Sequence, residues 1–185
     1  MSVAPRHQAP ERRIKAHVMD ADAVRRSLSR IAHEIVERNR GARDLVVVGV
    51  ISRGDVLARR LAAKLTELEG AAVPVGAVDA SGHRDDGRPR VPGRSSTVPE
   101  VADRTVVLVD DVIHHGRTAR AAMEALMQFG RPRAIQLAVL VDRGHRQLPI
   151  RPDYVGKNVP TAESERVEVC LREGEGLDAV VIVEH

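Results

Sequence analysis

The sequence predicts an α/β fold, a mostly parallel sheet with helices on both faces. Three observations carry this. Apolar runs of strand length recur at residues 45–51, 105–111 and 134–141. Between and around them, apolar residues fall at helical three- and four-residue spacing. The apolar runs end in chemistry-bearing turns: Ser52-Arg53-Gly54, Asp110-Asp111, and Asp142-Arg143-Gly144-His145-Arg146. Alternating strands and helices imply parallel pairing, and ligands of such sheets sit outside the strands' carboxyl ends.

In chain order, residues 1–17 read as a flexible leader. They are polar, carry Pro5, Pro10 and several arginines, and lack the apolar stretch of a signal peptide, which predicts a cytoplasmic protein. A single domain is expected over 18–185. Residues 20–40 form a first helix, with Val24, Leu28, Ile31 and Ile35 on one face, Asp20 as cap and Gly41 past the end. The run Leu45-Val46-Val47-Val48-Gly49-Val50-Ile51 has the unbroken apolarity of a strand buried on both faces. Residues 54–69 form a helix that turns Leu57, Leu61, Leu65 and Leu68 inward, and 73–79 form a strand. Residues 83–104, rich in Gly, Pro, Arg and Ser, are too long for a simple connector and read as a lid loop. A strand at 105–111 and a helix at 116–129 follow, the helix stopped by Gly130 and Pro132. After the strand at 134–141, shorter strands are expected at 167–171 and 179–183.

Composition narrows the function classes. With 185 residues, 43% of them hydrophobic, the chain can build one proper core. No apolar run approaches bilayer-spanning length, so a membrane role is not expected. The lone Cys170 rules out a disulfide framework within the chain and reads as a small core filler. The net charge of +3 is unevenly spread: residues 163–185 carry −5, which leaves +8 on the rest. A basic body attracts nucleic acid or phosphorylated small molecules. With Tyr154 and Phe129 as the only aromatics, a surface that stacks many bases is excluded.

The stretch Val106-Val107-Leu108-Val109-Asp110-Asp111-Val112-Ile113-His114-His115-Gly116-Arg117-Thr118 is the most informative. Two adjacent carboxylates at a strand end can accept hydrogen bonds from vicinal sugar hydroxyls. The helix that follows opens with unpaired N–H groups and a dipole that favours an anion. Gly116 admits a phosphate close to the backbone, Arg117 adds charge and Thr118 a hydroxyl. Acids that merely capped the next helix would not account for the Gly-Arg-Thr directly behind them. The chain has no Gly-Lys-Ser/Thr, so a P-loop nucleotidase is not supported.

This stretch resembles the phosphoribosyl-pyrophosphate (PRPP) signature of type I phosphoribosyltransferases. Other segments are similar to a narrower family: Ser27 to Ile35, Arg84-Asp85-Asp86, Gly130-Arg131-Pro132, residues 135–146, Leu148-Pro149-Ile150-Arg151, and Tyr154-Val155-Gly156-Lys157-Asn158-Val159-Pro160-Thr161. They resemble the PyrR family of pyrimidine-operon regulators and uracil phosphoribosyltransferases, over residues 18–183. The resemblance implies a type I phosphoribosyltransferase-like fold with a lid, or hood, loop. It implies transfer of ribose 5-phosphate from PRPP to uracil, giving UMP and pyrophosphate, with Mg²⁺ carried by PRPP rather than by direct protein ligands. It also implies binding of a hairpin in leader mRNA, with UMP or UTP as effector, by a homodimer or higher homo-oligomer.

By this resemblance Asp110 and Asp111 hold the ribose hydroxyls, and Val112, Ile113, His114, His115, Gly116, Arg117 and Thr118 wrap the 5′-phosphate. Ser52, Arg53 and Gly54 form the turn facing pyrophosphate. Departing pyrophosphate needs a cationic clamp, for which Arg53 is the candidate, with Arg84 closing from the lid. Asp110, Asp111 and Arg53 are the catalytic candidates. The implied RNA contacts are Ser29, Arg30, His33, Arg38, His145, Arg146, Arg151, Lys157 and Thr161. Two basic segments could form one phosphate-tracking surface: Arg26, Arg30, His33, Glu37 and Arg40 lie opposite Leu28 and Ile31 on the first helix, and 131–157 adds Arg131, Arg133, Arg143, Arg146, Arg151 and Lys157 against Asp142 and Asp153.

The departures from the family pattern cluster on the catalytic side. His114-His115 stands where Tyr-Thr is usual, Gly82-His83 where Leu-Tyr is usual, Ser52 for Thr, and Ile51 for a more polar residue. Imidazole is larger than a hydroxyl and donates only in the right tautomer or when protonated. The expectation is an RNA regulator with a weakened transferase. A salvage phosphoribosyltransferase would share the signature without needing Lys157 or a basic helix face. A non-catalytic nucleotide sensor would share the pocket alone.

Overall fold

The computed structural model describes residues 13–85 and 95–184. Residues 1–12, most of the expected leader, and 86–94, within the expected lid and including Asp86, lie outside the described residues. The elements in order are β1 (Arg13–Met19), α1 (Ala21–Asn39), β2 (Leu45–Val50), α2 (Gly54–Glu69), β3 (Val75–Val78), a 3₁₀ turn (Ser81–His83), β4 (Thr105–Ile113), α3 (Arg117–Met127), β5 (Ala134–Asp142), β6 (Tyr154–Asn158), β7 (Glu165–Cys170), α4 (Arg172–Glu175) and β8 (Ala179–Glu184).

Five strands form a parallel sheet in the order β3-β2-β4-β5-β6. The central strands β2 and β4 are buried almost end to end, as their unbroken Val/Leu runs require. One apolar cluster joins α1 and α2 to one face of the sheet, through residues such as Ile31, Ile35, Leu57, Leu61 and Leu65 against Val47, Val107 and Leu140. A second joins α3 to the other, through Ala121, Ala122 and Leu126 against Val46, Val106, Leu108 and Val139. Helices on both faces of a parallel sheet are therefore present as expected. A separate antiparallel sheet, β1-β8-β7, gathers the two ends of the domain.

Helix α1 starts where Asp20 accepts a hydrogen bond from the Ala23 N–H at 2.7 Å, the capping its sequence promised. The chain turns one residue earlier than expected at the other end, with Arg40 rather than Gly41 in the left-handed position (φ 56°). Helix α2 begins at a close approach. A Cβ at Gly54 would lie 2.5 Å from the Val109 carbonyl oxygen, and one at Gly49 would lie 2.2 Å from that of Gly54. Two glycines thus let the start of α2 press onto the ends of β2 and β4.

Several expectations need correction. Residues 13–17, assigned to the leader, form most of β1, held by antiparallel pairing with β8 and by the Lys15–Glu165 ion pair. Leu68, expected inside, is 42% exposed in the last turn of α2, where Gly70 ends the helix. Cys170 is only half-buried at the end of β7. Strand β6 was not anticipated, because Lys157 and Asn158 on an edge strand break its apolarity.

Gly49→Ala would set a Cβ against backbone atoms, which cannot swing aside as a side chain does. It should lower the unfolding free energy by about 1–3 kcal/mol, read from the urea midpoint.

Candidate functional site

The carboxyl ends of β2, β4 and β5 open on one side of the parallel sheet. A cavity of about 530 Å³ there is lined by Asp110, Val112, Ile113, His114, His115, Gly116, Arg117 and Thr118 from the β4–α3 junction, and by Arg84. The strand direction and the Gly116 turn (φ 90°) place the first N–H groups of α3 at its wall.

Asp110 is 7% exposed. Burial, and then the charge of Asp111, hold its carboxyl well above the ordinary carboxylate range, with Arg84 pulling the other way. Asp111 is also raised by burial, opposed by the Val112 N–H and by the charge of Arg53. Each carboxylate accepts a backbone hydrogen bond, from the Asp111 N–H at 2.9 Å and the Val112 N–H at 2.7 Å. Arg53 (φ 71°) is brought to the pair by the glycine contact at the head of α2, and its guanidinium donates to Glu175 at 3.0 Å. The turn of Ser52, Arg53 and Gly54 lies beside the signature strand, but none of the three lines the cavity, and neither does Asp111.

The histidine pair is stacked, with ring centroids 3.6 Å apart, and His145 meets His114 edge-on at 5.7 Å. Burial, reinforced by Arg143, His115, His145 and Arg146, brings the His114 pKa down to about 4, so its ring is neutral at physiological pH. Its Nε2 has no hydrogen-bond partner among the described residues. Arg117 is tied to Asp85 at 2.5 Å and to Gln147 at 3.0 Å, while Arg120 donates to the His83 carbonyl at 2.8 Å. The contacts to Asp85 and His83 clamp the 83–85 segment onto α3, and the one to Gln147 ties α3 to the loop after β5.

Sequence reasoning missed part of this wall. Arg143, only 6% exposed, lines the cavity and donates to the Thr161 hydroxyl and the Ala162 carbonyl. The sequence marked the turn from Asp142 to Arg146 that contains it, but not Arg143 itself as a site residue. Glu163, Ser164, Glu165 and Arg166 close the opposite side from the antiparallel sheet. Nothing in their local pattern marks them, since their approach depends on pairing between distant ends of the chain.

The expected RNA contacts lie elsewhere, alongside β6. Arg30 donates to the Val155 and Gly156 carbonyls at 2.9 and 2.7 Å, and Arg38 to Asp153 at 2.7 Å, so α1 runs beside that strand. The His33 ring nitrogen meets the Ser29 carbonyl, whereas the Ser29 hydroxyl turns toward α2 and accepts from Lys64. Lys157 donates to the Val18 carbonyl at 3.1 Å. His145, Arg146, Arg151 and Thr161 share a second cavity of about 780 Å³ with Asn158 and Leu148. Arg143 belongs to the walls of both cavities.

Residues 17–173 match the phosphoribosyl transferase domain family. The chain is 56% identical over 178 residues to the bifunctional protein PyrR of Pelotomaculum thermopropionicum, covering 93% of this chain and 97% of that protein. It is 56% identical to the bifunctional protein PyrR of Deinococcus radiodurans, covering 90% and 93%. Among solved structures, a hypoxanthine-guanine phosphoribosyltransferase from Bacillus anthracis is similar with a TM-score of 0.70 and 19% identity, over 95% of this chain and all of that one. That last likeness is one of fold.

Asp110 stays protonated in the fold at pH values where the unfolded chain has already ionised it. The native state therefore loses stability as pH rises above the ordinary aspartate value of 3.8 toward the raised folded value. Asp110→Asn removes that slope, so the urea midpoint should rise relative to the parent by more at pH 8 than at pH 5.

Proposed function

Because the chain belongs to the PyrR family, we propose that it is a uridine-nucleotide-dependent mRNA-binding regulator of pyrimidine biosynthesis genes that also converts uracil and PRPP to UMP and pyrophosphate. The observation that carries this is the pairing of a carboxylate-ended phosphate cavity with a separate cationic flank along β6.

In the transferase, Asp110 and Asp111 accept hydrogen bonds from the ribose hydroxyls of PRPP. They also face the ribosyl carbon as it becomes cationic; burial disfavours their charged form in the empty site, and the developing cation together with Arg53 and Arg84 favours the carboxylate that stabilises it. The 112–118 loop and the start of α3 hold the 5′-phosphate, with Thr118 and Arg117 completing the cradle. Arg53 and Arg84, from two other loops, face the departing pyrophosphate. Mg²⁺ would enter with PRPP, held by the substrate's phosphates without a direct protein ligand; the oxygen-only Asp110–Asp111 pair suits the neighbourhood of such a hard cation. When bound, it neutralises charge on the leaving group. No described helix is long and apolar enough to cross a membrane.

The His114–His115 pair weakens turnover. His114 is neutral and its stacked partner occupies the loop position where a small hydroxyl would serve the phosphate. A hydrogen bond to a charged group is worth about 1.5–3 kcal/mol. The double variant His114→Tyr, His115→Thr should therefore raise kcat/KM for PRPP roughly tenfold or more. An unchanged value would show that imidazole serves as well.

In the regulator, uridine nucleotide fills the cavity and the β6 flank grips a folded hairpin through backbone charge and hydrogen bonds, in keeping with the scarcity of aromatics. Titration of a pyrimidine-operon leader hairpin tests this. Affinity should rise when UMP is added and fall steeply with salt. Equal affinity for a scrambled hairpin, with or without UMP, would end the reading.

A further inference from the structure

Arg146 was expected to contact RNA, yet all three of its guanidinium nitrogens are committed within the protein. Nε donates to the Ile150 carbonyl at 2.9 Å, Nη1 to the His114 carbonyl at 2.9 Å, and Nη2 to Asp142 at 2.5 Å. Only 24% of the side chain is exposed. Asp142 is well suited to hold it: partial burial raises its pKa, but Arg146 and the Gly144 N–H outweigh that and leave it below the ordinary value.

Arg146 does not act alone. The Arg143 N–H donates to the Ile113 carbonyl, and the Gln147 and Leu148 N–H groups both donate to the His115 carbonyl, each at 3.1 Å. The Gln147 side chain accepts from Arg117 at 3.0 Å. Three successive carbonyls of the phosphate loop, those of Ile113, His114 and His115, are thus all taken by the 143–148 segment. The same three residues line the nucleotide cavity. A peptide plane that rotates to aim its N–H at a phosphate also swings the carbonyl it contains, since the two groups are rigidly coplanar. Any such adjustment must pass to the 143–151 loop. That loop carries Arg151, which is exposed and whose guanidinium makes no hydrogen bond among the described residues, and it walls the second cavity.

Building on the functional reading above, we propose that Arg146 is a positioning residue, not an RNA contact: it pins the 143–151 loop to the phosphate loop and so transmits nucleotide occupancy to the RNA flank. Coupling of this kind needs a physical element whose arrangement both ligands bias, and the hydrogen-bonded loop pair is that element.

Arg146→Lys separates the two roles. It keeps the charge that a phosphate contact would need, but its three donors share one nitrogen and cannot span the three acceptors spaced around the guanidinium fork. RNA affinity is measured with and without UMP, across a salt series, for the parent, Arg146→Lys and Gln147→Leu. UMP affinity is measured by calorimetry with and without RNA. The parent should gain on the order of 5- to 150-fold in RNA affinity on adding UMP. In Arg146→Lys that gain should fall below about twofold, while nucleotide-free affinity and its salt slope stay at the parent values. Gln147→Leu, which removes only the bridge to Arg117, should reduce the gain in part. The effect of RNA on UMP affinity must shrink by the same factor in each variant, because linkage is reciprocal. A full gain in both variants would overturn this inference alone. So would an Arg146→Lys loss equal in the presence and absence of UMP. A parent protein whose RNA affinity ignores UMP would overturn the functional reading and this inference together.

Discussion

A carboxylate kept from water at the end of β4 is the constraint around which the molecule is arranged. Asp110 sits almost fully buried beside a second carboxylate, a costly arrangement for groups that ionise readily in water. The cost is tolerated because each acid receives a backbone N–H and feels one arginine, Arg84 on Asp110 and Arg53 on Asp111. Those arginines come from different loops. Arg53 reaches the pair only because Gly49 and Gly54 allow α2 to lie on the strand ends. The apolar sheet, with its run of fully buried valines and leucines, supplies the stability that such a site consumes.

The second organising feature is the sharing of one wall by two cavities. Arg143 lies between the cavity at the β4–α3 junction and the neighbouring cavity under the 143–151 loop, held by Thr161 and Ala162. Burial, reinforced by the cations around it, keeps the His114 ring neutral, so the loop gains nothing from a protonated imidazole there. Positive charge at this junction resides instead on arginines that are either buried, as Arg143, or fully engaged, as Arg146. The face offered to solvent is left to Arg30, Arg38, Arg151 and Lys157.

What could be read from sequence was what depends on local pattern. Helix α2 has the bounds its leucine spacing and flanking glycines predict, and the Asp110-Asp111 pair announces the pocket, although β4 runs two residues past it to Ile113. What escaped depends on contacts between distant segments. Arg13–Met19 carries too many polar residues to signal a strand, and it becomes one because β8 supplies a partner from the other end of the chain. Glu163 to Arg166 enter the pocket by the same long-range route. Charge pattern alone also could not tell an arginine aimed at solvent from one spent internally, which is why Arg146 and Arg151 looked alike until their donors were traced.

Strand β6 is the outermost member of the parallel sheet, and an open rim of this kind invites a neighbouring molecule to add a strand of its own. Here Arg30 reaches across from α1 to occupy two of its carbonyls, while Lys157 sets a cation on the same border. The side chains gathered on this flank therefore also guard against self-association into extended sheets. Trimming these few cations would leave that rim open to a second strand.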